Sequence, residues 1–254
     1  MITYKTPEEI EIMAEAGSKL ASVLKALVLE VCVGTTTEEI DKKAFELIKA
    51  AGAKPAFLGY RPGGALKAYP KTICVSINEV VVHGLPSPKK IIQDGDVVKL
   101  DLGLIWKGFY SDSAVTVPVG RVSKQAEELI RVTREALSLA IKMAKPGNTT
   151  GDIGHAVQKF VESHGFEVVK YLGGHGIGKE LHEDPFVMNF GNPGDGELLE
   201  SGMVIAIEPM VAVGSGRVKQ TKDDEFVTLD KSISAQFEHT VAIMPQGARV
   251  LTKL

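Results

Sequence analysis

Two cysteines, Cys32 and Cys74, among 254 residues are too few for a disulfide framework, and they read as reduced thiols of a cytosolic protein. A basic excess is also missing. There are 29 Lys and Arg against 32 Asp and Glu, and the net charge of −3 excludes a polycation that grips nucleic-acid backbone. No run reaches the ~20 apolar residues of a membrane helix. The two most apolar stretches, 20–33 and 203–213, are broken by Lys25 and Glu30 and by Glu208 and Pro209. Glu8, Glu9 and Glu11 stand where a secretory signal would need a basic start and an apolar run. What is present is an ordinary globular balance, 44% hydrophobic and 24% charged.

The chain is written twice. Residues 34–52 (GTTTEEIDKKAFELIKAAG) and 147–165 (GNTTGDIGHAVQKFVESHG) align with Gly34, Thr36, Thr37, Ile40 and Gly52 on Gly147, Thr149, Thr150, Ile153 and Gly165. Each copy carries a Thr N-cap, acidic residues in its first turn, apolar residues at helical spacing and a closing Gly, which predicts a helix. A further helical stretch precedes each copy, about 7–29 and 124–144. DGDVVKLD at 94–101 then matches SGMVIAIE at 201–208, placing Asp101 on Glu208. YSDSAV and QFEHTV set Asp112 and Glu238 beside apolar strands in the same order. His83 and His182 each open an H-x-x-P. The halves meet near 118–124 without a Ser/Gly-rich linker, so the expectation is one pseudo-twofold domain over 1–254, with halves of about 1–120 and 121–254.

A carboxylate inside the apolar strand VVKLDLGLIW is out of place unless it is exposed, paired or bound to a metal. Lys107-Gly108 reads as a tight turn into FYSDSAVTV. With Trp106 opposite Phe109, Asp101 faces Ala114 and Asp112 lies two residues along on the same face. Diagonal carboxylates repel unless a cation lies between them. The duplication delivers Glu208 and Glu238 by the same logic. Any one of these acids reads equally well as a strand-edge residue; four at matched positions in apolar strands do not.

His175 is set among Gly173, Gly174, Gly176 and Gly178, which permit close backbone approach to a crowded site. His155 and His164, on the second helix copy, read as structural. Gly173-x4-Gly178-Lys179 imitates a phosphate loop, but Glu180 stands where Ser or Thr would hold magnesium. Four carboxylates and one imidazole make a hard, mostly oxygen site, too acidic for one structural zinc. The set suits two divalent ions about 3.5–4 Å apart, the spacing used for hydrolysis. No G-x-S-x-G supplies another nucleophile.

In order, VVHGLP, KLDLG, YSDSA, GGHGIG, LHEDP, AIEPM and FEHT resemble the methionine aminopeptidases, over essentially the whole chain. The resemblance implies an α+β pita-bread fold: a curved, mainly antiparallel sheet backed by helices. It implies removal of the initiator Met from nascent proteins and peptides whose second residue is small. One metal would be held by Asp112, His175, Glu208 and Glu238, and a second by Asp101, Asp112 and Glu238. Mn, Fe, Co and Zn all suit such ligands. Glu208 would shuttle the proton, His182 contact the scissile amide and His83 line the substrate cleft. Tyr60, Tyr69, Cys74 and Phe226 match the methionine pocket. Asn78, Val80 and Ser234 match a peripheral site for a sodium or potassium ion. The spacing of Glu208 and Glu238 and the start of the chain resemble a bacterial type I, cytoplasmic form. Its partners would be N-terminal Met peptides, with no membrane and no direct nucleic-acid reading. A ribosome contact would rest on a local basic patch, and a monomer is the default.

Two departures stand out. PGGALKA, 62–68, is inserted before Tyr69, and Phe57 and Leu181 replace a common pocket cysteine and aromatic. Two rivals remain: an X-Pro peptidase of the same fold, and a non-catalytic binding module, against which all five filled ligand positions argue.

Overall fold

Leu100, Leu102 and Leu104 alternate with Lys99, Asp101 and Gly103 along one ten-residue strand, and this period of two divides apolar from functional side chains. In the computed structural model, which describes residues 1–61 and 67–253, this strand is backed by two helices. They are α1 (Pro7–Val28) and α2 (Thr37–Ala50). Thr6 and Thr36 cap them, each in a reciprocal bond with a Glu three residues on. Leu20, Leu24 and Leu27 of α1 and Ile40, Ala44 and Ile48 of α2 close over the leucines of the strand. Each large apolar side chain so buried contributes roughly 1.5–3 kcal/mol.

Five strands fill the first half: β1 (Lys54–Pro55), β2 (Cys74–Ile77), β3 (Val80–Val82), β4 (Val97–Trp106) and β5 (Phe109–Pro118). β4 is the ten-residue strand. Lys107 and Gly108, at φ 49° and 86°, turn β4 into β5. Both values are left-handed, as a two-residue hairpin turn of this hand requires.

The second half repeats the plan with α3 (Lys124–Met143) and α4 (Thr150–Ser163). Thr149 and Asp152 rebuild the cap seen at Thr36 and Glu39. Ten strands follow: β6 (Glu167–Val168), β7 (Gly173–Gly176), β8 (Glu183–Met188), β9 (Val204–Ile207), β10 (Met210–Ala212), β11 (Val218–Gln220), β12 (Phe226–Thr228), β13 (Ser234–Gln236), β14 (His239–Met244) and β15 (Gly247–Val250). Ile205 and Ile207 of β9 and Val241 and Ile243 of β14 face α3 and α4 in a second core. Val115 of β5 packs against both cores.

Among the described residues every strand pairing is antiparallel. β5–β4 with β1 and β2 form one sheet and β15–β14–β9–β7–β8 another, and two three-stranded sheets run β13–β10–β6 and β11–β12–β3. The halves are stitched where β5 meets the start of β14. Glu238 N donates to Ala114 O at 2.9 Å, and Ser113 Oγ donates to Glu238 O at 2.8 Å. Thr240 Oγ1 accepts from Asp112 N at 3.0 Å and donates to Asp112 O at 2.8 Å. No helix among the described residues is long and apolar enough to cross a membrane.

Candidate metal centre

The β4–β5 register places Asp101 opposite Ala114 and Gly103 opposite Asp112, so the two carboxylates are diagonal neighbours on the face turned away from the helices. The second half reaches the same result with a shorter strand. β9 stops at Ile207 because Pro209, two residues on, has no N–H to give a ladder, so Glu208 stands just beyond the strand end. β14 begins with His239 opposite Ile207, which sets Glu238 just ahead of the pairing.

His175 comes from β7, between β8 and β9. The glycines beside it are dictated by space. A Cβ at Gly174 would lie 2.1 Å from Ala206 O, and one at Gly176 would lie 2.1 Å from Asp184 O. The His175 Nδ1 pairs with Gly176 O at 2.9 Å. A carbonyl can only accept, so Nδ1 carries the hydrogen and Nε2 keeps its lone pair, the form a metal ligand needs. Burial lowers the His175 pKa to about 4, which holds the ring neutral.

Asp112, His175 and Glu238 each offer a ligand atom within 4.8 Å of the other two. They are 4%, 6% and 2% exposed. Glu208 Oε1 lies 3.9 Å from His175 Nε2, and Glu208 Oε2 accepts from Gln236 Nε2 at 3.2 Å. Asp101 is buried, and its Oδ1 has no hydrogen-bond partner. Burial, with some relief from Gln236, raises the Asp101 pKa to about 7. Asp112, Glu208 and Glu238 are pushed well above the usual carboxylate range, by burial first and then by one another and Asp101. Among the described residues no Lys or Arg pairs with any of the four. Crowded acids, an orphaned oxygen and a free imidazole nitrogen together fit a divalent cation.

His182 and His83 stand at the rim. Tyr60 Oη and His182 Nδ1 are 2.6 Å apart, and the His182 and His175 rings pack edge to face at 4.4 Å. His83, at φ 60°, packs its ring against Phe226 at 5.5 Å. Both histidines are solvent-accessible yet surrounded by protein, as side chains lining a concave cleft are, and this crowding lowers both pKa values. Tyr60, Tyr69 and Cys74 share one apolar cluster with Phe57 and Leu181, so the two replaced positions line the same wall. Phe226 belongs to a different cluster, beside His83 and Tyr171. Of the insertion 62–68, residues 62–66 lie outside the described residues. His155 and His164 bond main-chain carbonyls away from the acids.

Asn78, Val80 and Ser234 do come together, but an ammonium already sits among them. Lys99 Nζ donates to Asn78 O at 2.7 Å and to Ser234 O and Oγ at 3.1 and 3.2 Å. These are oxygens of the residues expected to hold a sodium or potassium ion. Lys99 and Gln236 escape motif reading. The one signal for Lys99 is a second charge in the apolar strand, two residues from Asp101 and so on the same face.

The model of metallopeptidase family M24 matches residues 11–245. The methionine aminopeptidase of Clostridium acetobutylicum is 45% identical over 253 residues, covering 99% of each chain. The crystal structure of methionine aminopeptidase from Thermotoga maritima superposes with a TM-score of 0.95 at 46% identity, covering all of both chains. A prolidase from Pyrococcus furiosus is similar at a TM-score of 0.80 and 29% identity, covering 99% of this chain and 65% of its own.

Proposed function

The chain belongs to metallopeptidase family M24, among its methionine aminopeptidases, and from that premise we propose how its residues divide the work. It removes N-terminal methionine from peptides and nascent chains in a metal-dependent hydrolysis, when the second residue is small. The observation that carries this reading is the buried convergence of Asp112, His175 and Glu238, with Asp101 and Glu208 beside them.

Asp112 and Glu238 would bridge two divalent ions, with His175 and Glu208 completing one site and Asp101 the other. Four carboxylates and one imidazole exceed what a single ion needs, which supports two. Bound divalent ions would supply Lewis-acid chemistry, lowering the pKa of water toward neutrality and drawing charge from the scissile carbonyl.

Glu208 is the proton carrier. Gln236 holds its Oε2, and the carboxylate stands at the strand end, where it passes a proton to the leaving amine. His182 meets the scissile amide through Nε2, because Tyr60 engages Nδ1. His83 lines the cleft beside Phe226. The methionine side chain enters the wall of Tyr60, Tyr69, Cys74, Phe57 and Leu181, an apolar lining suited to a thioether. Mn, Fe, Co and Zn are the candidate ions, and the cytoplasm, which keeps both cysteines reduced, is the compartment.

The test is peptide choice. Metal-loaded protein is expected to release methionine from Met-Ala-Ser and to leave Ala-Pro peptides intact. Cleavage of Ala-Pro instead would assign an X-Pro peptidase, and cleavage of neither a binding module.

A further inference from the structure

We infer that the Lys99 ammonium is this chain's own built-in monovalent cation, occupying the oxygen cage of Asn78 and Ser234 so that the fold needs no sodium or potassium there. Lys99 is fully buried, and its Nζ meets three oxygens, Asn78 O, Ser234 O and Ser234 Oγ, at 2.7, 3.1 and 3.2 Å. A neutral amine has two hydrogens and a lone pair, and its lone pair would face the third oxygen. Three acceptors call for the three hydrogens of an ammonium. Ser234 Oγ also bonds Asn78 O at 3.0 Å and Val80 O at 3.5 Å, so the same carbonyls that would ligate a free ion are gathered on one centre. Burial lowers the Lys99 pKa to about 7, and Glu79 and Asp96 oppose that loss with nearby negative charge. Asp96 is pinned there by Asn78 Nδ2 at 2.8 Å.

The cage joins three segments that carry site residues. Asn78 precedes β3 and His83. Lys99 lies on β4, one full pleat from Asp101, roughly 7 Å along the strand. Ser234 opens β13, which ends in Gln236, the partner of Glu208. A covalently attached charge performs the cross-link with no ion to lose, and it is immune to the ionic composition of the medium.

The test uses manganese-loaded protein at constant ionic strength, with tetramethylammonium, too large for the cage, exchanged for potassium or sodium. Wild-type protein is expected to keep its thermal midpoint within about 1 °C and to bind no thallium(I), a potassium analogue. Lys99→Ser, which leaves the oxygens unpaired, is expected to fall by roughly 4–10 °C in tetramethylammonium. It should regain at least half of that loss in potassium or sodium, and bind thallium(I). Wild-type stabilisation by either ion, or stoichiometric thallium binding by wild type, would overturn the inference. So would a Lys99→Ser protein that no monovalent ion restores. If that variant does not fold, thallium binding by wild type alone decides. Stability and ion binding are the readouts, so failure here is distinguishable from failure of the peptidase reading.

Discussion

Asp112 is the residue on which the site turns. It shares the candidate metal cluster with His175 and Glu238, and its backbone is clasped on both sides by Thr240. Asp112→Asn or Glu238→Gln keeps shape and removes one ligating charge. Either is expected to lower methionine release by more than about 100-fold, beyond the cost of losing a supporting partner of a ligand. Near-normal turnover with metal retained, measured alongside metal content, would defeat the bridging role. Thr240→Val instead orphans a buried N–H and a buried carbonyl, each costing about 1–3 kcal/mol. The thermal midpoint should fall by several degrees at about 2–4 °C per kcal/mol, with weaker metal retention. The Asp101–Asp112 relation was legible in the sequence because a two-residue turn at Lys107-Gly108 fixes every cross-strand pair after it. Thr240, Gln236 and Lys99 were not legible, since their partners are 128, 28 and 135 residues away and no local pattern encodes such pairings.

At the scale of elements, duplicated caps and close glycines do the positioning. α2 and α4 start with the same reciprocal cap, of which the Thr N-cap was legible in G-x-T-T. Thr149→Ala should cost about 1 kcal/mol and lower the thermal midpoint by about 2–4 °C while leaving turnover per folded molecule unchanged. Gly174→Ala is a sharper test. Its Cβ would lie 2.1 Å from Ala206 O, so β7 must move off β9 and carry His175 away from Asp112 and Glu238. Reduced metal affinity together with a lower midpoint is expected, measured by metal titration and thermal unfolding. Full affinity would mean that β7 does not set the ligand. The second half was legible mainly by analogy with the first. Its β9–β14 pair is interrupted by four strands, β10 to β13, where β4–β5 has a two-residue turn, and that insertion brings in Gln236 and Ser234.

For the molecule as a whole, the two halves meet at a seam lined by acids that would rather be protonated. Burial raises all four carboxylates, Asp101 to about 7, and repulsion from neighbouring acids adds to the rise at Asp112, Glu208 and Glu238. Without metal, the folded chain therefore holds protons that the unfolded chain releases near pH 4. Metal-free stability falls as pH rises from about 4 toward 7. Metal replaces those protons, so the stabilisation by added Mn should be larger at pH 7.5 than at pH 5. Equal midpoint shifts at the two pH values would contradict the shared-proton picture. The fold class was accessible from the sequence, and so was the placing of the four carboxylates, because the duplication repeats each acid in register. The bonding of Lys99 to Asn78 and Ser234 was not, because the three residues come from separate segments.

The most direct measurement is methionine release from Met-Ala-Ser by chelator-stripped protein, with Mn, Fe, Co or Zn added back singly. Activity absent after stripping and restored by at least one ion is the expected result. Release undiminished by stripping, or absent with every ion, would contradict a metal-driven aminopeptidase built on Asp101, Asp112, His175, Glu208 and Glu238.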